Sequence, residues 1–263
     1  MTVHFIGAGP GAADLLTVRA TRLLAASPVC LYAGTYVTAD VLAHCPPGAE
    51  LIDTAPLTLD GIVGHLIRAH AAGHDVARLC SGDPSLYSAL HEQTARLDAA
   101  GVPWDVTPGV PAYAAAAARL GRELTVPEVA QSVVLTRTHA RSTRMPSGEE
   151  LERFAATGSI LVLHLAITRT RDLAARLVPF YGPDCPAVVV SRVTQPDEQV
   201  LRGTLADIGD LVERAGLRQA AVILVGPALG APGCAAESHL YAAGRDRRDR
   251  KSTRLNSSHA TLS

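Results

Sequence analysis

The chain lacks the features that would place it in a membrane or outside the cell. Among its 263 residues no apolar run approaches the roughly 20 residues that cross a bilayer, and the N-terminal MTVHFIGAGPG enters a strand pattern without a charged and then apolar leader. The 5 cysteines are scattered and form no Cys-x-x-Cys pair, which is typical of free thiols in a reducing compartment. We therefore expect a cytoplasmic protein with no membrane partner.

Aromatic residues and excess charge are also scarce. Only 4% of the residues are aromatic against 48% hydrophobic, so the core must consist mainly of alanine, leucine and valine. The formal net charge of −1 argues against a nucleic-acid partner that is held by phosphate charge. Lysine is nearly missing, with Lys251 alone. The arginines that take its place suit carboxylates and phosphates, although an Arg- and Ala-rich composition can equally reflect codon bias.

What is present is an alternation of short apolar strands and amphipathic helices, the pattern of an α/β protein. We predict strands at 3–6, 29–32, 50–53, 76–80, 102–106, 132–136, 159–165, 187–193 and 220–225, with a short, antiparallel one at 199–201. Helices are predicted around Leu15 to Leu24 and at 58–70, 85–99, 114–118, 149–156, 171–177 and 205–214.

The connector GRELTVPEV has no clean period and contains Pro127, so we place a domain boundary there. The predicted units are an N-terminal α/β domain of residues 1–124 and a C-terminal α/β domain of residues 125–243. Residues 244–263 are polar and basic without apolar periodicity, and they read as translated adapter sequence rather than native protein. We expect this tail to be disordered and exclude it from the fold.

Three small-residue breaks follow predicted strands: GAGPG at 7–11, SGDP at 81–84 and TPG at 107–109. Glycine and proline end regular structure, and the carboxyl ends of parallel strands meet at one edge of a sheet, where ligands bind. The breaks together predict a binding cleft with Asp83 at its rim. The alternative is an ordinary strand-to-helix turn in which Asp83 only caps a helix.

The first break also matches the dinucleotide fingerprint G-x-G-x-x-A through Ala12. That fingerprint calls for an acidic residue at the end of the second strand, where this chain has Tyr32-Ala33-Gly34, and Pro10 removes an amide that a pyrophosphate would use. A nicotinamide-dependent dehydrogenase therefore remains only an alternative.

Two other chemistries find little support. His65, His70 and His74 lie close in sequence, and the last two have the i, i+4 spacing of a metal pair, but Gly73 should end the helix between them and no carboxylate shares that turn. We predict no metal site. A hydrolase is also disfavoured, because no G-x-S-x-G signature is present.

Several motifs in combination resemble the tetrapyrrole methylase family, the S-adenosylmethionine-dependent enzymes of corrin and sirohaem biosynthesis. They are FIGAGPG with DLLT after it, SGDPSLY, and TPGVPAYAAAAARLGRELTVPEVAQSVVLTR, and the resemblance runs from about residue 3 to about residue 240. Within the family, the YAG after the second strand, GDPSLY and GRELTVPEV are most similar to the members that methylate carbon 11 of precorrin-4.

The resemblance implies a homodimer of two α/β domains with S-adenosylmethionine bound in the cleft between them and S-adenosylhomocysteine as product. The donor-site residues that it implies are Gly9, Pro10, Ser81, Gly82, Asp83, Leu86, Pro111, Ala112, Leu165, Val193 and Ala221. Two departures favour a corrin substrate: Leu165-Ala166 stands where relatives that methylate uroporphyrinogen tend to have Met-Gly, and Val193 stands where they have Gly.

The implied reaction converts precorrin-4 to precorrin-5, with cobalt-precorrin-4 or another tetrapyrrole as alternative substrate. A macrocycle rich in acetate and propionate groups needs cationic partners, and Tyr87 and Glu123 are candidates for handling a proton. The candidate substrate contacts are Arg122, Arg137, His139 and Arg141. A methylase of ribosomal RNA or protein, or a tetrapyrrole carrier without catalysis, would share parts of the pattern.

Overall fold

The computed structural model of the protein describes residues 1–138 and 144–230. Within these ranges the chain forms two five-stranded sheets covered by helices. His139 and Arg141, two of the candidate substrate contacts, and the predicted tail at 244–263 lie outside the described residues.

The first sheet is parallel throughout and has the strand order β3-β2-β4-β1-β5. Its central strands are runs of small and branched apolar residues that are covered on both faces, which is why they read as continuous hydrophobic segments. Its strands are β1 (Val3–Gly7), β2 (Val29–Tyr32), β3 (Glu50–Asp53), β4 (Val76–Cys80) and β5 (Trp104–Thr107).

The second sheet has the order β6-β7-β10-β8-β9 and is mixed. Strands β6 and β7 are parallel, whereas β10 runs antiparallel to both β7 and β8, and β9 is antiparallel to β8. The prediction of a short antiparallel strand near residue 199 is confirmed, and that strand is longer than predicted. The strands are β6 (Val133–Arg137), β7 (Ile160–His164), β8 (Pro186–Ser191), β9 (Gln199–Thr204) and β10 (Ala221–Val225).

Eight α-helices connect the strands in the described ranges. Two of them begin at threonines that cap the helix: Thr17 accepts a hydrogen bond from the Ala20 amide, and Thr58 accepts one from the Gly61 amide. The helices are α1 (Val18–Ala26), α2 (Ala39–Leu42), α3 (Leu59–Ala71), α4 (Leu90–Ala99), α5 (Ala112–Leu120), α6 (Leu151–Ala155), α7 (Thr170–Tyr181) and α8 (Ile208–Ala215). None of these described helices has the length and apolarity needed to cross a membrane.

The predicted helix at 85–99 is wrong over its first five residues. Tyr87 and Ala89 have φ values of 54° and 53°, which no right-handed helix contains, so α4 begins only at Leu90. The segment between β4 and α4 is instead an irregular turn that follows the SGDP motif. The helix predicted around Leu15 is also shorter, because Ala13–Leu15 forms a single 3-10 turn before α1.

Helix α5 links the two sheets in space. It follows β5 of the first sheet, yet its residues Ala115, Ala116 and Leu120 pack into a core with Val188 and Leu224 of the second sheet. The opposite face of the second sheet is covered by α6, α7 and α8. The carboxyl edge of the first sheet, where β5 ends and α5 begins, therefore lies beside the second sheet.

Candidate functional site

The three predicted breaks meet at the carboxyl edge of the first sheet. Gly9 and Gly82 exchange backbone hydrogen bonds of 3.1 and 2.9 Å, so the first two turns are joined directly. A Cβ atom added to Gly7 would stand 2.4 Å from the Gly109 nitrogen, and one added to Gly109 would stand 2.2 Å from the Gly82 carbonyl oxygen. Glycine is therefore required at these positions for close backbone contact, and the single predicted edge is confirmed.

The Asp83 carboxylate holds two of these turns together. Its Oδ2 atom accepts a hydrogen bond of 2.8 Å from the Gly109 amide, and its Oδ1 atom accepts one of 2.8 Å from the Ser85 amide and another from the Ser85 hydroxyl. Burial alone would raise the pKa of this carboxyl, but the hydrogen bonds from Ser85 and Gly109 outweigh it, so the net pKa is lowered. Asp83 thus shapes the site as an ionised group whose two carboxylate oxygens both accept hydrogen bonds within the protein.

The second half of the chain closes over the first turn through two side chains that follow β8. The Thr194 hydroxyl accepts a hydrogen bond of 3.0 Å from the Ala12 amide, and Gln195 Nε2 donates one of 3.3 Å to the Pro10 carbonyl. Thr194 has a φ of 67°, so its backbone adopts a left-handed conformation that is uncommon for a β-branched residue. These contacts fix the spacing between the two sheets at the turn.

A cavity of about 460 Å³ lies between the turns of the first sheet and the strand ends of the second. This volume is within the range of small-molecule sites, and the wall combines apolar residues with polar and charged ones, among them Arg78, Arg192 and Arg218. The wall includes these residues of the predicted donor site: Pro10, Ser81, Gly82, Asp83, Leu86, Pro111, Ala112, Leu165, Val193 and Ala221. The structure therefore brings together residues from both halves of the chain.

Other candidates take different positions. Gly9 supports the wall through its backbone bonds to Gly82. Arg122 and Glu123 follow helix α5 and are not among the residues that line this cavity, and Glu123 accepts a hydrogen bond of 3.1 Å from the Thr125 hydroxyl. Arg137 ends β6 and acts electrostatically on Tyr87, which does line the cavity.

Tyr87 lies against a histidine that the sequence analysis overlooked. The ring centroids of Tyr87 and His164 are 5.4 Å apart, and Nε2 of His164 is buried without a hydrogen-bond partner. Burial lowers the pKa of His164, so the imidazole is neutral near pH 7, and burial raises the pKa of Tyr87, so the phenol keeps its proton. Both rings therefore present uncharged polar groups at the cavity wall.

Arg78 is a second cavity residue that the sequence analysis did not identify. It lies in β4, is only 7% exposed, and donates from Nε to Gln93 Oε1 over 3.0 Å and from Nη1 to the Leu79 carbonyl over 2.7 Å. The presence of an arginine inside an otherwise apolar strand could have indicated a functional role for Arg78 from the sequence. For His164 the corresponding signal is a polar residue at the carboxyl end of a buried strand.

The described part of the chain offers no group of three His, Cys, Asp or Glu residues that could hold a metal ion. Of the three histidines considered for such a site, His70 donates from Nδ1 to the Met1 carbonyl at 2.7 Å.

Two packed sheets with a cavity between the turns of one and the strand ends of the other define the protein as a two-sheet α/β protein. A family model described as Tetrapyrrole (Corrin/Porphyrin) Methylases matches residues 2–209. The chain belongs to this family, and it is a methyltransferase.

Individual relatives agree with the family assignment. A precorrin-4 C(11)-methyltransferase of Rhodococcus erythropolis is 59% identical over 247 residues, covering 94% of this chain and 99% of the relative. Among solved structures, a cobalt precorrin-4 methyltransferase of cobalamin biosynthesis has a TM-score of 0.84 at 38% identity, covering 88% of this chain and 96% of that one. A uroporphyrin-III C-methyltransferase of Thermus thermophilus, solved with S-adenosylhomocysteine, has a TM-score of 0.73 at 28% identity, covering 87% and 93%.

Proposed function

We propose that this protein transfers a methyl group from S-adenosylmethionine to carbon 11 of precorrin-4, which gives precorrin-5 and S-adenosylhomocysteine in cobalamin biosynthesis. The observation that carries the proposal is the cavity itself, whose wall contains ten of the residues that the family resemblance implies for donor binding. The 59% identity to the Rhodococcus erythropolis enzyme, over nearly the full length of both chains, supports carbon 11 of precorrin-4 as the target.

The cavity fits the donor in size and chemistry. The glycine contacts at 7, 82 and 109 keep side chains out of the turn region, so a ligand there meets backbone and small residues. When bound, S-adenosylmethionine would supply a methyl group activated by its sulfonium. A nucleophilic carbon of the macrocycle would attack this methyl group in line as the carbon–sulfur bond breaks, with S-adenosylhomocysteine as the leaving group. Holding two reactants in alignment can contribute roughly 7 to 11 kcal/mol to such a step, so no strong catalytic base is required.

In this proposal the residues of the chain act by binding, orienting and excluding water. Apolar parts of the wall exclude water and consist of Leu86, Pro111, Val193 and Ala221. The hydrogen bond from the Gly109 amide to the Asp83 carboxylate keeps the two turns in place. Tyr87 presents a protonated phenol beside the neutral imidazole of His164 at the cavity wall. We propose that Tyr87 donates a hydrogen bond to the substrate and that His164 fixes the orientation of its ring.

The substrate side chains are carboxylates, and cationic residues should surround the cavity mouth. Arg137 is the candidate contact with structural support, because it acts electrostatically on Tyr87. Arg122 stays a candidate, whereas the position of Glu123 gives no support to its proposed catalytic role. His139 and Arg141 stay predictions from the sequence.

The proposals on oligomeric state, cellular location and domain boundary rest on fewer observations. A homodimer agrees with the partly exposed Trp104 and Val106 on the edge strand β5, and sedimentation analysis will test it. The four cysteines of the described ranges are free thiols, which supports a reducing compartment such as the cytoplasm. The division into domains at residues 124 and 125 remains a proposal that limited proteolysis can examine.

The test is an incubation of the protein with S-adenosylmethionine and precorrin-4, followed by mass spectrometry of the macrocycle. A gain of one methyl group, located at carbon 11 by isotope-labelled NMR, is expected. A parallel incubation with cobalt-precorrin-4 decides between the two substrates by their relative kcat/KM. If S-adenosylhomocysteine binds but neither macrocycle gains mass, the substrate assignment is wrong; if the protein binds NAD instead, the methyl-donor assignment is wrong too.

A further inference from the structure

Arg78 is a buried cation in the cavity wall whose partners are neutral. Its two hydrogen bonds go to the Gln93 amide oxygen and the Leu79 carbonyl. The groups that act on its charge are the thiols of Cys80 and Cys30, and no carboxylate of the described ranges forms an ion pair with it. A buried charge without a counter-ion is unfavourable unless an anion joins it.

The neutral partner is fixed by its own contacts. Gln93 is 1% exposed, and its Nε2 atom donates to the carbonyls of Ser88 and Ala89 at 3.2 and 3.0 Å. These two acceptors require the amide nitrogen on their side, which leaves the oxygen of Gln93 for Arg78. The pair is therefore an arginine held by an amide, and the full positive charge remains uncompensated.

Arg78 lines the cavity, and its guanidinium keeps unused hydrogen-bond donors. Two of the five N–H groups of Arg78 are used, which leaves three: the second hydrogen of Nη1 and both hydrogens of Nη2. Within the described residues, the buried side-chain atoms that lack a hydrogen-bond partner belong to Thr138 and His164, and Nη2 of Arg78 is not among them. Nη2 therefore has some accessible surface, and Arg78 is among the residues that line the cavity.

We infer that Arg78 is an anion-binding residue of this cavity, with Nη2 donating to a carboxylate of the bound ligand. This inference rests on the proposed function, which provides two carboxylate sources. One is the amino-acid end of the methyl donor, and the other is an acetate or propionate group of the macrocycle. The planar guanidinium suits either carboxylate, and binding would supply the counter-ion that the free protein lacks.

Calorimetry separates the two sources. We would compare the wild-type protein, Arg78→Gln and Arg78→Lys for binding of S-adenosylhomocysteine and of its decarboxylated analogue. Arg96→Gln is the matched control, because Arg96 lies on the outside of α4 in an exposed pair with Asp60. If the donor carboxylate is the partner, Arg78→Gln loses at least about tenfold in affinity for S-adenosylhomocysteine and little for the analogue. Arg78→Lys, which keeps the charge, should lose less.

If the macrocycle supplies the carboxylate, Arg78→Gln keeps its affinity for S-adenosylhomocysteine, and the KM for the tetrapyrrole rises by about tenfold or more. Equal losses for S-adenosylhomocysteine and its analogue, or no loss for donor and macrocycle in a folded variant, would overturn the assignment. Failure of the wild-type protein to bind S-adenosylhomocysteine would instead contradict the proposed function.

A wild-type measurement covers the case in which the buried substitutions prevent folding. Crystals grown with S-adenosylhomocysteine, and separately with the macrocycle, should show a ligand carboxylate oxygen within about 3.2 Å of Nη2 of Arg78 in one of the two complexes. Absence of such a contact in both complexes would refute the inference.

Discussion

Replacing Asp83 by alanine should loosen the turns without unfolding the protein. The change removes the acceptor of the Gly109 and Ser85 amides, each 2.8 Å away. Hydrogen bonds to a charged group contribute about 1.5 to 3 kcal/mol each when buried, and water replaces part of them here because Asp83 is only partly buried. We therefore expect a loss of about 2 kcal/mol, which lowers the Tm by about 4 to 8 °C for a chain of this size.

The same substitution should weaken binding of the methyl donor. The Gly109 turn leads into Pro111 and Ala112, which line the cavity, and a turn that is no longer held must be ordered on binding. Affinity for S-adenosylhomocysteine, measured by calorimetry, should fall about tenfold, which corresponds to about 1.4 kcal/mol. Asp83→Asn should fall in affinity as well, because one of its two acceptor oxygens becomes an N–H donor that faces a backbone N–H.

The effect should also depend on pH in a defined direction. The pKa of Asp83 is lower in the folded protein than in the unfolded chain, so its contribution to stability is present above the unfolded pKa and lost as the pH falls through the folded value. The difference between wild type and Asp83→Asn should therefore shrink in acid. Asp60→Ala, an exposed carboxylate in a 3.4 Å pair, is the control and should change stability little. If Asp83→Ala matches Asp60→Ala in both Tm and affinity for S-adenosylhomocysteine, the hydrogen bonds that Asp83 accepts have no energetic role.

Three further changes test other parts of the site. Gly109→Ala places a methyl group 2.2 Å from the Gly82 oxygen and should destabilise the protein by about 1 to 3 kcal/mol in thermal unfolding. The control is Gly61→Ala in helix α3, where the nearest neighbour of the new methyl group is 3.5 Å away, and this change should be neutral or stabilising. Equal Tm values for the two variants would contradict the packing argument. Burial lowers the pKa of His164, so below pH 6.5 the unfolded chain takes up a proton before the folded protein does, and the stability of the fold declines. His164→Phe should make this decline with falling pH less steep. An unchanged pH profile of stability would exclude His164 as the source of the decline. Tyr87→Phe should keep the fold and donor affinity while kcat falls, and unchanged kcat would remove its hydroxyl from the mechanism.

Much of the first sheet follows from the sequence because each local signal agrees with the tertiary context. Strands β2 (Val29–Tyr32) and β3 (Glu50–Asp53) have the predicted bounds, and turn residues punctuate the apolar runs. The cleft was predictable because small-residue breaks after parallel strands must share one edge. The backbone conformation of the SLYSA segment was not predictable from the sequence. Its left-handed residues Tyr87 and Ala89 are neither glycine nor asparagine, so nothing in the sequence indicates their positive φ values.

The second sheet was less predictable for a different reason. The periodicity of β8 and β10 indicates two buried strands but not their relative direction, and the antiparallel pairing of β10 depends on helix and loop packing that is not local. The roles of Arg78 and His164 were missed for a related reason. Arg78 lies in the middle of β4 and His164 at the end of β7, and only the meeting of the two sheets places both at one cavity.

The charges of the cavity argue for a reaction that needs alignment more than a base. Asp83 is ionised, but its lone pairs are engaged by Gly109 and Ser85, and Arg192 is paired with Asp197 at 2.6 Å. Asp83 is the one carboxylate among the described residues that line the cavity, so this wall offers no carboxylate without hydrogen-bond partners that would hold a sulfonium in its ground state. Transfer of a methyl group from a sulfonium to carbon disperses positive charge. The apolar part of the wall, which includes Leu86, Pro111 and Val193, opposes the localised charge of the sulfonium more than the dispersed charge of the transition state. The same wall, with Arg78 as its buried cation, suits an acceptor that carries many carboxylates.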